Sequence, residues 1–411
     1  MISRWQKRIF VGAAIALLAV NLRPSLIVIS PLLTSIQNDL GMTSAVAGLL
    51  GAAPPLAFAA FGWMTPAIAH LTGYERLAWI AMLITGAAQL GRLMTDSTLV
   101  FVTLSFLAYA HMGVGNVLLP PLVKLHFPDK IGVISGMYIM LISVGTALPA
   151  FVAVPVADAT SWRASAGIWA VFALSVVHPW IRVGQVAKNR RSYEPSVPRM
   201  KLQPTKAVLV TPLAWGLVGV FGINSLNAYA MMTWLPTMLV EAGVSATLSG
   251  VYLSLSLFAV VAIPLAFVVP WVTLRLPSAF PLIALFAACY AAGYTGLLLS
   301  PTSGTLLWVM LAGAGPGAFP LVLTLVNLRS STVAGAGALS GCTQGLGYLV
   351  AGIGPLMVGL PRDVSGTWTA PLVFLIAGLT IQLAAGYLVS RPGSIELQLA
   401  RHRLRRSGGA E

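Results

Sequence analysis

Apolar runs of about 18 residues or more, each long enough to cross a hydrocarbon core of about 30 Å as a helix, recur along the whole chain. Lipid offers a backbone no water, so a spanning segment is either a helix or part of a closed barrel. Barrel strands alternate apolar and polar at every second residue, and these runs do not. Composition agrees, with 57% of the 411 residues hydrophobic and only 8% charged, against about a quarter charged in a soluble chain. Mean hydropathy is +0.88. The chain reads as an all-α integral membrane protein.

Alternating sides in chain order gives twelve transmembrane helices, at 9–36, 43–69, 76–95, 98–123, 131–157, 163–181, 207–240, 244–273, 278–300, 304–328, 333–360 and 367–390. With the N-terminus inside, all but Arg23, Arg92, Arg163 and Arg362 of the 24 lysines and arginines fall on the inner side. Arg92, Arg163 and Arg362 are then at outer ends, and Arg23 alone is mid-span. The net charge of +14 thus follows the positive-inside rule rather than marking a nucleic-acid binder. Both termini are expected in the cytoplasm, in a multi-pass protein of the cell (inner) membrane. The N-terminal run lacks a small-residue cleavage site and is kept as the first span. Cys289 and Cys342 lie mid-span in different helices with no disulfide or metal spacing, and no cofactor is expected.

The polar stretch 182–206, "RVGQVAKNRRSYEPSVPRMKLQPTK", separates six spans from six. This sets an N-terminal bundle at 1–181, a cytoplasmic linker at 182–206, a C-terminal bundle at 207–391 and a basic tail at 392–411. The halves resemble each other. "GVGNVLLP" (113–120) matches "GAGPGAFP" (313–320), and Pro31 and Pro236 each precede a glycine pair, Gly41 with Gly48 and Gly243 with Gly250. Two similar bundles rocking about a central cavity would open a site alternately to each side.

Flanking charges locate the middle of each span. Midway between Arg8 and Asp39 is Arg23, in "NLRPS"; between Asp96 and Lys124 is His111. Between Lys206 and Glu241 is Asn224, with Asn227 one turn on. Between Arg329 and Arg362 is Gln344, in a stripe Ser340, Gln344, Tyr348. The "GPG" at 315–317 predicts a break in the tenth span.

An arginine at this depth costs about 2.5–3.5 kcal/mol on insertion scales and cannot shed its proton. All ten acidic residues map to loops, span ends or tails, so no mid-span carboxylate is at hand for Arg23. Either Arg23 bonds backbone carbonyls near Pro24 as a structural residue, or an anion from outside completes the pair. The fork of five donors suits small oxyanions and carboxylates. His111 is a candidate both for substrate binding, by donating a hydrogen bond, and for proton coupling, with a helix–helix bond as its structural alternative. Asn224, Asn227, Gln344 and Tyr348 are candidates for substrate binding that serve equally as interhelical contacts. Tyr138 and Tyr252 are candidate cavity-lining rings. The Arg-rich tail is expected at anionic headgroups of the lipid bilayer.

At "NLRPSLIVISPLL" (21–33), "LLPPLVKLHFPDKIGVISGMY" (118–138), "WLPTMLVEAG" (234–243), "GAFPLVLTL" (317–325) and "QGLGYLVAGIGP" (344–355) the chain resembles a major facilitator superfamily (MFS) transporter. More narrowly, it is similar to the cyanate porter / 2-nitroimidazole transporter family. The resemblance implies two pseudo-symmetric six-helix bundles, a cavity lined by spans 1, 4, 7 and 10, and small solutes such as cyanate or nitroaromatics. It puts Arg23 and His111 on cavity helices. The superfamily's usual Gly-x-x-x-Asp-Arg-x-Gly-Arg-Arg signature is replaced by "GWMTPAIAHLTGYERL", with His70 or nearby residues where the acid is expected.

These observations predict a secondary active transporter for a small anionic or polar organic solute, working by alternating access as symporter or antiporter. Its partners are a small-molecule substrate, a co-transported proton and lipid, and a monomer is expected. The alternatives are a proton-coupled multidrug efflux carrier for neutral compounds and a channel-like pore. An enzyme is disfavoured, because one interior histidine without carboxylate, nucleophile or metal cluster makes a poor active site.

Overall fold

The computed structural model describes residues 4–193, 205–244, 257–258 and 260–407, and among these there is no strand. Two compact units emerge, Met1–Ala207 with Thr332–Gly341, and Val208–Ser331 with Cys342–Glu411.

The first unit begins with a helix in three pieces: α1 (Arg4–Val20), α2 (Pro24–Ile27) and α3 (Ile29–Leu40). There follow α4 (Ser44–Thr72), α5 (Tyr74–Leu93), α6 (Thr98–His126), α7 (Ile131–Ala159), α8 (Trp162–Ser175) and α9 (Val177–Tyr193). Thr43 and Ser161 cap α4 and α8 by accepting the amides of Val46 and Ala164, and Gly41 closes α3 at φ 60°. The basic stretch after 181 continues as helix to Tyr193, and 194–204 lie outside the described residues. Within this unit α6 packs on α4 and α5, α5 on α8, and α1 on α7. The first turns of a later helix also belong here, with the Ser340 hydroxyl donating to the Val117 carbonyl at 3.1 Å.

The second unit holds α10 (Pro212–Glu241), α11 (Ala262–Thr273), α12 (Phe280–Leu299), α13 (Thr305–Ala314), α14 (Ala318–Leu328), α15 (Val333–Ser365, from Cys342 on), α16 (Thr369–Ser390) and α17 (Ile395–Ser407). A single 3-10 turn, Gly315–Gly317, separates α13 from α14, where the sequence predicts a break. Here α10 packs on α16, and α12 on α13 and α16. The α12–α13 and α12–α16 pairs repeat the α5–α6 and α5–α8 pairs of the first unit. Residues 245–256, with Tyr252 and Gly250, lie outside the described residues.

Nine helices among the described residues are long and apolar enough to cross a membrane. Two more of the expected twelve spans exist as the continuous helices α5 and α10, less apolar because of Gln89, Arg92, Asn224 and Asn227. Of the span expected at 244–273, only α11 is a described helix of any length. Large apolar side chains such as Phe151, Leu299 and Leu360 point outward and exposed, the surface a bilayer solvates.

Each unit carries the same clamp at one end. In the first, Asp39 in the last turn of α3 accepts the Trp162 indole N–H at 2.9 Å and pairs with Arg163, which also reaches Asp96 at 2.8 Å. In the second, Glu241 ending α10 accepts the Trp368 indole N–H at 2.9 Å and pairs with Arg362 at 2.6 Å. The Trp162 and Arg163 donors hold the Asp39 carboxyl below its usual range, and Arg362 and Trp368 do the same for Glu241. A carboxyl with a depressed folded pKa stabilises the fold above its unfolded pKa of about 4 and loses that contribution as pH falls through the folded value. The melting temperature of the detergent-purified protein is therefore expected to fall as pH drops below about 4, with a shallower acid limb in Glu241→Gln. An identical acid limb in that variant would show that the clamp contributes nothing.

The tail is ordered by docking. Ile395 and Leu399 of α17 are buried, while Arg401 and Arg403 stay exposed. The Ile395 amide donates to the Arg329 carbonyl at 2.8 Å, and Glu396 and Gln398 accept the amides of Ser331 and Leu213.

Candidate functional site

In "NLRPS", Asn21, Leu22 and Arg23 form the gap between α1 and α2, and Pro24 and Ser25 open α2. Pro24 has no N–H to return to Val20, and its ring drives the preceding residue out of the helical region. Arg23 accordingly has φ −129° and ψ −33° and stands as the N-cap of α2. Its carbonyl accepts the Leu26 and Ile27 amides, both at 3.0 Å, and the Asn21 side chain donates back to Leu17 at 2.9 Å. Asn21, Pro24 and Ser25 are buried, as non-helical backbone at membrane depth must be.

The Arg23 side chain is half-buried, its guanidinium carbon 5.5 Å from the centre of the Phe58 ring on α4. One turn further along α4, the Phe61 ring lies 5.6 Å from the His111 imidazole on α6. Residues three apart share a helix face, so Arg23 and His111 stand beside consecutive rings of one aromatic ledge. Gly113 makes this possible, since a Cβ there would come 2.9 Å from the Phe58 Cα. A guanidinium against a ring uses its face and leaves its in-plane N–H fork for hydrogen bonding.

His111 Nδ1 lies 2.9 Å from the Leu107 carbonyl oxygen. A carbonyl only accepts, so Nδ1 carries the hydrogen and the neutral ring keeps its lone pair on Nε2. Neutral His111 thus offers an acceptor, and it donates through Nε2 only after taking a proton.

Tyr138 is buried on α7 of the first unit, and the remaining substrate-binding candidates, Asn224, Asn227, Gln344 and Tyr348, lie buried in the second. The Asn224 carbonyl accepts the Tyr290 hydroxyl at 3.3 Å, and the Asn227 amide donates to Ile223 at 2.8 Å. The Oδ1 atoms of both asparagines have no hydrogen-bond partner among the described residues. Tyr348 packs edge-on against Phe221 of α10, ring centres 5.0 Å apart, and Gln344 is one turn before it. Ser340, Gln344 and Tyr348 lie at spacing four on the one continuous helix α15.

Two features escape a reading of the sequence. Arg92, expected at an outer span end, is fully buried inside the first unit. Its guanidinium donates to the Ser25 carbonyl at 3.0 Å and to the Ser105 hydroxyl at 3.5 Å, beside Tyr109. Glu75, also expected at a span end, is only 6% exposed and pairs with His126 at 3.4 Å. Gln89 three residues before Arg92 was the available signal, since the two put polar groups on one face of an otherwise apolar helix.

The Major Facilitator Superfamily model matches residues 9–355, and the chain belongs to that family; it is a transporter and not an enzyme. It is 32% identical over 376 residues to the uncharacterized transporter YycB of Bacillus subtilis (strain 168), covering 90% of this chain and 91% of that one. Two Escherichia coli (strain K12) proteins follow. The 2-nitroimidazole transporter is 30% identical over 370 residues (90% and 92% covered), and the cyanate transport protein CynX 26% identical over 375 (89% and 94%). Among solved structures the proton:xylose symporter XylE has a TM-score of 0.76 at 11% identity, covering 97% of this chain and 99% of that chain. That likeness concerns the fold alone.

Proposed function

We propose that this chain is a secondary active transporter of a small anionic or polar organic solute, of the cyanate or nitroimidazole kind, working by alternating access in the cytoplasmic membrane with both termini inside. One observation carries this reading: a guanidinium placed at the N-cap of a broken membrane helix, over the Phe58 ring and one ring away from His111. A bilayer-depth arginine is costly, and its N–H fork recovers that cost best from an oxyanion or a nitro group. Two relatives, a 2-nitroimidazole transporter and a cyanate transport protein, support the same solute class. Asn224, Asn227, Gln344 and Tyr348 are proposed as further substrate contacts, the first two through their Oδ1 acceptors.

The test is uptake and counterflow in proteoliposomes with labelled cyanate, 2-nitroimidazole and small carboxylates. Saturable uptake of at least one, with counterflow, is expected; linear flux without counterflow would replace the carrier by a pore. Ligand that binds the folded carrier alone should also raise its melting temperature.

His111 is the proposed proton carrier, because its Nε2 changes from acceptor to donor on protonation. His111→Gln is expected to abolish accumulation driven by a pH gradient while preserving counterflow, which needs no coupling. Full pH-driven accumulation in that variant would remove His111 from the coupling step.

A further inference from the structure

We infer that Arg92 is a positioning residue that holds the break in the first membrane helix, and with it Arg23, in the geometry that receives the solute. The inference rests on the proposed role of Arg23.

Four observations in the first unit support it. Arg92 is fully buried, and arginine stays charged wherever it is put, so its hydrogen bonds are the compensation for a large desolvation cost. The strongest of these runs to the Ser25 carbonyl, two residues from Arg23, at 3.0 Å. Ser25 lies in the one-turn α2, whose carbonyls near the break have few helical amides to bond. The other side of the guanidinium is fixed by Ser105 at 3.5 Å, by Tyr109 and by the Phe101 ring at 6.0 Å. Arg92 therefore ties α5 and α6 to the turn that presents Arg23. A straightened or rotated turn would swing the Arg23 side chain off the Phe58 ring.

The test is a double-mutant cycle in proteoliposomes, reading half-saturation and maximal rate separately for whichever solute wild type transports. Arg92→Gln is expected to raise half-saturation about tenfold with a smaller change in maximal rate, and Arg92→Lys to recover part of it. Added to Arg23→Ala, Arg92→Gln should do nothing more, since it acts through the missing group. Independent, additive losses would overturn the inference, as would an unchanged half-saturation in Arg92→Gln beside a damaged Arg23→Ala. An undamaged Arg23→Ala would instead overturn the anion-site reading itself. If Arg92→Gln fails to accumulate, Arg92→Lys and Tyr109→Phe decide: a raised half-saturation at unchanged melting temperature supports positioning, and an unchanged one refutes it.

Discussion

Arg23→Ala is expected to raise the half-saturation for an anionic solute about 10- to 100-fold, the equivalent of one charge-assisted hydrogen bond at about 1.5–3 kcal/mol. Stability should move the other way or not at all. The variant sheds an insertion cost of about 2.5–3.5 kcal/mol and forfeits a cation–ring contact with Phe58 of about 0.5–2 kcal/mol. A protein that inserts, keeps its melting temperature and no longer binds solute separates a ligand-binding arginine from a structural one. Arg23→Lys should fall between, because it keeps the charge and gives up the planar fork. Measured by uptake kinetics and thermal unfolding side by side, a destabilised variant with normal half-saturation would assign Arg23 to structure.

Substituting Gly145 is expected to be the most damaging single change to the fold. A Cβ at this position of α7 would overlap the Val20 carbonyl oxygen and lie 2.9 Å from its carbonyl carbon and 3.2 Å from its Cα. These are backbone atoms and have no rotamer with which to retreat. The close approach has a cause in the sequence, because Val20 is the residue whose carbonyl would bond the amide that Pro24 lacks. Glycine lets α7 come against that end of α1, where Cα–H contacts to carbonyl oxygen recur between tightly packed helices. Gly145→Ala should cost about 1–3 kcal/mol by overpacking, lowering the melting temperature by several degrees. Gly145→Val should yield little folded protein on size-exclusion chromatography. Gly51→Ala is the control: an added Cβ meets nothing within 4 Å, so a neutral or slightly stabilising effect is expected. Equal behaviour of the Gly145 and Gly51 variants would refute the close-packing account.

Much of this architecture was legible before any coordinates. The 3-10 turn at Gly315–Gly317 follows from proline and glycine chemistry that acts on the nearest turn. The interruption around Arg23 has the same cause in Pro24, although the first span was expected to run unbroken over 9–36. The clamps on Asp39 and Glu241 occupy the charged span ends from which depth was read. The resemblance between the halves reappears as matching helix pairs, α5–α6 with α12–α13 and α5–α8 with α12–α16.

Depth along a span could be inferred from the charges that bound it, because water and lipid differ sharply at those points. Rotation about the helix axis could not, because lipid and protein interior are equally apolar and no hydrophobic stripe marks the buried face. Arg92 therefore looked like an end-of-span arginine until its contact with Ser25 showed where its helix turns it. The same ignorance of rotation hid the Phe58–Phe61 ledge beside Arg23 and His111. Local chemistry and the bilayer's boundaries set which segments are helical, where they break and how deep each polar group lies. Which groups then meet depends on helix faces chosen by packing, and those choices are made jointly by residues far apart in the chain.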